Sequence, residues 1–306
     1  MRVLITGGAG FIGSHIAAGW QGKAEVRVLD SLRSGNIDNL KGMDVEFING
    51  DIRDRAAVDK AMDGVDYVFH LAALISVPES MTNIAECIEI NNTGMINVLE
   101  SAAEHKVKKL CFSTSAANYG DNPIVPKVES MLPEPKSPYA ITKLDGEFYC
   151  RMFSEERGLP TACLRYFNVF GPRQNPRSAY AAAVPIFIAK ALAGEDLCIY
   201  GDGGQTRDFV YVEDVAAANI YFATHEPQGV FNIACGGRIT INDLAQEIVR
   251  LTGSSSKIVH CPERPGDVRH SMADVSKAKE AGFVCRHTFA EGLDRTIAYY
   301  RDALNK

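Results

Sequence analysis

Residues 6–13 read Thr6-Gly7-Gly8-Ala9-Gly10-Phe11-Ile12-Gly13, directly after the apolar run Val3-Leu4-Ile5. The spacing Gly7-x-x-Gly10-x-x-Gly13 falls where a strand ends and a helix opens. A backbone that turns there and approaches a pyrophosphate closely leaves no room for side chains. The amino end of the next helix adds unpaired N–H groups and a positive dipole. Asp30 ends the next apolar run. Its carboxylate suits the hydroxyls of an adenosine ribose and repels a 2′-phosphate, which favours NAD over NADP; Arg33, nearby, pulls the other way. Asp51 and Ile52, in the run Gly-Asp-Ile-Arg-Asp after the third strand, are expected to flank the adenine.

Outward from this turn, short apolar runs alternate with amphipathic ones. Strands are expected at 2–6, 25–30, 45–48, 66–71, 108–113 and 161–166, and helices at 11–20, 54–63, 82–104 and 138–157. This alternation predicts an α/β fold, a doubly wound parallel sheet that binds ligands at the carboxyl ends of its strands. After about residue 167 the pattern loosens. Helices are expected at 180–193, 213–224, 240–252 and 289–304, with short strands at 197–200, 208–212 and 230–233. The expected division is a dinucleotide-binding domain over 1–167 and a smaller α/β substrate lobe over 168–306, some of whose segments return to the main sheet.

The 306 residues are 46% hydrophobic and 23% charged, with a net charge of −6, an ordinary soluble balance that argues against a nucleic-acid surface. No apolar run approaches a membrane span or a secretory signal, so cytoplasmic residence is the default. The eight cysteines show neither metal-ligand nor framework spacing and read as reduced thiols; no metal site is expected.

Tyr139 and Lys143, in Ser-Pro-Tyr-Ala-Ile-Thr-Lys, share a helix face four residues apart. An ammonium beside a phenol favours the phenolate, so Tyr139 is expected to have a lowered pKa and to serve as acid or base. Ser115, at the end of the strand 108–113, is placed to hydrogen-bond the same substrate hydroxyl.

The glycine spacing, the Ser…Tyr-x-x-x-Lys set and the run Leu164-Arg-Tyr-Phe-Asn-Val-Phe-Gly-Pro-Arg-Gln174 resemble the extended short-chain dehydrogenases/reductases. Within them the resemblance is to the NAD-dependent epimerase/dehydratase family, nearest to its UDP-glucose and UDP-N-acetylglucosamine 4-epimerases. It implies a Rossmann-type fold and a tightly held NAD contacted by Gly7, Gly10, Phe11, Ile12, Gly13, Asp30, Asp51, Ile52, Leu71, Ala72, Ala73, Tyr139 and Lys143. It implies catalysis by Ser115, Tyr139 and Lys143. Arg207 and Arg264 match diphosphate-binding positions, with Arg269 assisting. Asn168 matches a substrate contact, and Ser76, Gln174 and Asn175 are further sugar-side candidates. Asn91 matches a position that supports the site.

The same resemblance narrows the reaction. Dehydratases and decarboxylases of the family carry an acidic residue after the catalytic Ser or Thr; here Ala116 and Ala117 follow Ser115. Ser271 falls where a bulky tyrosine would confine the pocket to plain hexoses, so acetamido sugars are expected to fit. Arg177 would suit a uronic acid. Asn118 stands where the family has an apolar residue, and is expected to alter packing or to shift the sugar. The implied activity is a UDP-sugar 4-epimerase, the alternative a dehydratase, decarboxylase or reductase on a nucleotide sugar. The helices 82–104 and 138–157 imply a homodimer through a four-helix bundle.

Overall fold

The structure is a computed structural model that describes residues 1–176, 182–263 and 268–304. In chain order its first half runs β1 (Arg2–Thr6), α1 (Phe11–Trp20), β2 (Glu25–Asp30), β3 (Glu46–Asn49), α2 (Arg55–Met62), β4 (Tyr67–His70), α3 (Val77–Thr82), α4 (Ile84–Ile88), a π-helical turn (Glu89–Thr93), α5 (Gly94–Glu104), β5 (Lys109–Ser115), α6 (Pro138–Arg157) and β6 (Thr161–Tyr166). The second half runs β7 (Asn168–Phe170), α7 (Ala183–Ala193), β8 (Leu197–Tyr200), β9 (Thr206–Arg207), β10 (Phe209–Tyr211), α8 (Val212–Thr224), β11 (Gly229–Ile233), β12 (Ile239–Thr240), α9 (Ile241–Thr252), β13 (Ile258–Cys261), α10 (Ser276–Glu280) and α11 (Phe289–Leu304).

Seven parallel strands form the main sheet in the order β11-β6-β5-β4-β1-β2-β3. Val3, Leu4 and Ile5 are wholly buried because helices cover both faces. Ile16 and Trp20 of α1 pack with Val215 and Phe222 of α8 on one face. Val58 of α2, Leu99 of α5 and Phe153 of α6 pack on the other. Strand order reverses at β1, with β2 on one side and β4 on the other, so a crevice opens at its carboxyl end. This is the Rossmann arrangement. A separate core joins α7, α9 and α11 through Ile188, Leu244, Ile248, Leu293 and Ile297.

The helix expected over 82–104 is broken into α3, α4, the π turn and α5. Ser76 and Pro78 start a helix early, the Ser76 hydroxyl accepting the Glu79 N–H. Asn91 then occupies the π turn, with its amide bonded to both backbone groups of Leu74. The strand expected at 230–233 spans 229–233 and pairs with β6 in the main sheet. β7, β9, β12 and β13 are not among the expected strands; β7, β9 and β12, at two or three residues, are too short to show a period. The reading of every cysteine as a free thiol is overturned for one pair. β13 runs parallel to β8 and brings Cys261 to Cys198 in a disulfide, with Cα atoms 6.0 Å apart. That strand pairing joins positions 63 residues apart, which no local spacing could reveal. Among the described residues, no helix is long and apolar enough to cross a membrane and no cluster of His, Cys, Asp or Glu is placed to hold a metal.

Candidate active site

The chain leaves β1 at Thr6 and turns through Gly7, whose φ of +72° is left-handed. A Cβ on Gly7 would lie 2.7 Å from the Ala72 nitrogen, and one on Gly13 would lie 2.4 Å from the Gly7 oxygen. The turn is closed by the Gly10 N–H, which donates to the Gly7 carbonyl at 3.1 Å. Gly10 caps α1 without a side chain, so no side chain competes for the first N–H groups of the helix. The cleft here is lined by Gly7, Gly10, Phe11, Ile12, Gly13, Asp30, Asp51, Ile52, Leu71, Ala72, Ala73, Tyr139 and Lys143, every residue expected at the dinucleotide. Arg33, Ser34, Gly35, Ser113 and Tyr166 line it as well.

The donor set fits a dinucleotide. The Asp30 carboxylate is fixed by two N–H groups, from Ala9 at 3.0 Å and Leu32 at 2.8 Å, and burial raises its pKa. A glycine-backed helix end would receive a pyrophosphate, and the fixed buried carboxylate at the end of β2 would accept from ribose hydroxyls.

Ser137 caps α6, its hydroxyl accepting the Ala140 N–H. This fixes Tyr139, Lys143 and Glu147 along one face at four-residue steps. The expected electrostatics of the pair do not hold. Lys143 Nζ donates to the Ser113 carbonyl at 2.8 Å, lies over the Phe112 ring, and stands 5.9 Å from the centre of the Tyr139 ring. Burial pushes Lys143 down to about 8. Burial likewise raises Tyr139, and the hydrogen bond from Ser115 pulls it only part of the way back. Desolvation outweighs the ammonium that the sequence places nearby.

Glu147, which the sequence reading passed over, is buried beneath this site. Its carboxylate pairs with Arg165 of β6 at 2.6 Å and 2.9 Å. The same Oε1 accepts from Thr114 at 2.7 Å and from Asn118 at 2.8 Å. Thr114 and Asn118 bracket Ser115 in sequence. Asn118 is wholly buried and directed at the ion pair, so of its two expected effects, packing is the one seen. Tyr119, next to it, donates to Asn232 Oδ1 at 2.7 Å. Asn91 donates to Thr142 Oγ1 at 2.9 Å and ties the π turn to α6.

Two further cavities continue the cleft. One, of about 620 Å³, is lined by Ser115, Ala116, Ala117, Asn168, Arg207 and Ser271 among others, and meets the dinucleotide cleft at Tyr166. The second, of about 650 Å³, shares Phe167, Asn168 and Arg207 with it and extends past Phe187, Lys190 and Gln205. The carboxylate on the wall of the middle cavity is Asp121, exposed and 3.9 Å from Lys136. Ser76 is occupied as the cap of α3; Val77 and Met81 of that helix line the cavity instead. Arg269 forms a two-pronged pair with Asp202 at 2.7 Å and 2.8 Å. Gln174 donates to the Val169 carbonyl. Arg177 and Arg264 lie outside the described residues. Asp208, also missed, is buried and accepts N–H groups from Cys235, Gly236 and Ala273. It thereby ties the chain next to Arg207 to the segment that carries Ser271, and burial raises it to about 6.

Known proteins resemble this chain over its whole length. A putative UDP-glucose 4-epimerase of Methanocaldococcus jannaschii is 37% identical, covering 98% of each chain. A UDP-N-acetyl-alpha-D-glucosaminuronate decarboxylase of Bacillus cytotoxicus is 36% identical over 99% of each. Among solved structures, the UDP-N-acetylglucosamine 4-epimerase of Methanobrevibacter ruminantium, in complex with UDP-N-acetylmuramic acid, superposes with a TM-score of 0.96 at 41% identity, covering 99% of this chain and 98% of that one. The Thermus thermophilus UDP-glucose 4-epimerase, in complex with NAD, gives 0.91 at 36% identity, covering 99% and 100%. With residues 3–234 also matching the family model, the chain belongs to the NAD dependent epimerase/dehydratase family of enzymes.

Proposed function

We propose that the protein is an NAD-dependent 4-epimerase of UDP-hexoses, accepting UDP-glucose and UDP-galactose and also their N-acetylhexosamine counterparts. The observation that carries this reading is the turn after β5. Ser115 and Tyr139 face the groove, yet the residues after Ser115 are Ala116 and Ala117, and the nearby buried Glu147 is engaged by Arg165, Thr114 and Asn118. Elimination of water needs an acid and a base beyond the tyrosine, and these positions do not supply them.

In this reading Tyr139 takes the proton from the sugar hydroxyl at carbon 4, and Ser115 orients that hydroxyl. NAD, when bound, supplies a reversible hydride acceptor and a positive charge that favours the tyrosinate. Lys143 holds the Ser113 carbonyl and keeps positive charge at the base of the site. Arg207, with its fork of donors, grips the diphosphate, as does Arg264. Asn168 contacts the substrate, and the small Ser271 leaves room for a 2-acetamido group. A firmly held nucleotide and a loosely held sugar let the 4-keto intermediate turn over before reduction on its other face. Exposed Ile84 and Ile88 on α4, with Ile141, Phe148 and Met152 on α6, form an apolar face that supports the expected homodimer.

The test is incubation of the purified protein, with no added cofactor, with UDP-glucose, UDP-N-acetylglucosamine and their uronic acids, followed by separation of the products. The expected result is the 4-epimer of the plain hexose and of the acetamido sugar. No 4-epimer from any substrate overturns the reading, and a pentose or a deoxysugar product would assign decarboxylase or dehydratase activity instead.

A further inference from the structure

Arg33 lies in the loop after β2 and lines the dinucleotide cleft. Its Nη2 donates to Glu79 Oε1 at 2.7 Å and to Glu86 Oε2 at 3.1 Å, and its Nη1 donates to Glu86 Oε1 at 3.2 Å. Glu79 belongs to α3 and Glu86 to α4, both of which follow β4. β2 and β4 flank β1 on opposite sides. A contact from the loop after β2 to the helices after β4 therefore passes over the carboxyl end of β1, where the Gly7–Gly13 turn opens. A second contact follows the same course. Arg53, beyond β3, pairs with Asp51 at 2.7 Å and lies 3.8 Å from Glu89 at the start of the π turn.

We propose that Arg33, Glu79 and Glu86 form a clasp that closes across the mouth of the cleft and slows release of the bound dinucleotide. The inference rests on the NAD reading and extends it to how the cofactor is kept. An epimerase recovers its hydride within one cycle, so the cofactor has no need to leave. The sheet and the glycine turn form the floor of the cleft, and Arg33 on its lining draws Glu79 and Glu86 to the rim. The three side chains are about one-third exposed. Each pair alone is weak at such exposure, but both must part together for a dinucleotide to escape. The clasp therefore acts on the release rate, and salt weakens it. It also accounts for Arg33 near a site that favours NAD: the guanidinium is committed to two carboxylates and is not presented to a 2′-phosphate.

The experiment follows release of ethenoadenine-NAD from the loaded full-length protein into excess unlabelled NAD, read by fluorescence anisotropy. The Glu79→Gln/Glu86→Gln double variant is expected to release it roughly tenfold faster than wild type. Arg33→Ala is expected to do the same, and combining all three changes is expected to add nothing further. The gap between wild type and variants is expected to shrink as salt rises to about 0.5 M. Unchanged release from the double variant overturns the clasp. So does a triple variant that releases much faster than the double variant, which would mean that Arg33 holds the dinucleotide directly and not through the two carboxylates. A wild-type protein that binds no ethenoadenine-NAD would instead remove the NAD reading, and the clasp with it.

Discussion

Tyr139 and Lys143 stand on the first turns of α6, and Ser115 ends β5. Lys143 is four residues from Tyr139, yet burial decides the pKa of both. Glu147 sits a further four residues along the same face. Its role was invisible because its partners arrive from three other segments: Thr114 of β5, Asn118 of the following turn and Arg165 of β6. The carboxylate holds the residues on either side of Ser115 and so fixes Ser115 against the helix that carries Tyr139. Asn118→Val removes one donor at similar volume. Turnover is expected to fall about tenfold, with the KM for the UDP-sugar unchanged and the melting temperature a few degrees lower. Glu147→Ala strands Arg165 in the interior and is expected to cost about 3–5 kcal/mol of stability by denaturant titration. A matching rise in KM in Asn118→Val would move its role from positioning to substrate binding.

Among the elements, the glycine turn separates what the fold needs from what the ligand needs. A Cβ on Gly13 meets the Gly7 carbonyl at 2.4 Å, and since that atom is backbone, α1 must move. On Gly10 the nearest atom is the same carbonyl at 3.1 Å, and Gly10 lines the cleft. Gly13→Ala is therefore expected to lose about 1–3 kcal/mol of stability and cofactor binding together. Gly10→Ala is expected to stay within about 1 kcal/mol of wild type while losing at least about tenfold in NAD affinity. Thermal melts and calorimetric titration with NAD distinguish the two. Equal destabilisation by both changes would mean that the turn serves folding alone. The break in the 82–104 helix is a second case at this scale. The amphipathic period continues through it, while Asn91 in the π turn is bonded to Leu74 and to Thr142 of α6, partners distant in sequence.

For the whole molecule, two buried histidines contribute acid sensitivity. His70 is buried at the end of β4, with Nδ1 2.7 Å from the Thr6 hydroxyl, and burial pushes it down to about 3. His15 on α1 meets the Pro172 carbonyl and is pushed down to about 4 by the same cause. Both remain neutral in the folded chain while the unfolded chain protonates them near the ordinary histidine value of 6.5. Below that pH the unfolded state binds more protons at these two sites, so their contribution to stability falls with pH between about 6.5 and 4, and further toward about 3 for His70, while Asp208, raised to about 6, opposes them with one proton that the folded state binds first. The melting temperature is expected to drop across this window. His70→Gln is expected to flatten the drop, even if it lowers stability at neutral pH. An unchanged slope in that variant would place the acid sensitivity elsewhere.

The sequence by itself determined the parallel sheet and the glycine turn, and its family resemblance pointed to the residues that line the cleft from Gly7 to Ala73 and to the Ser115–Tyr139–Lys143 set, because each depends on local period, on glycine geometry or on short motifs. Tertiary structure alone decided the Glu147–Arg165 anchor, the Asp208 ties, the Cys198–Cys261 bridge and the Arg33–Glu79–Glu86 contacts. It also reversed the expected shift of Tyr139. Each of these depends on strand order and on burial. The order of strands brings distant segments together at the carboxyl end of the sheet, and burial there sets the cost of charge; neither is written in the spacing of residues along the chain.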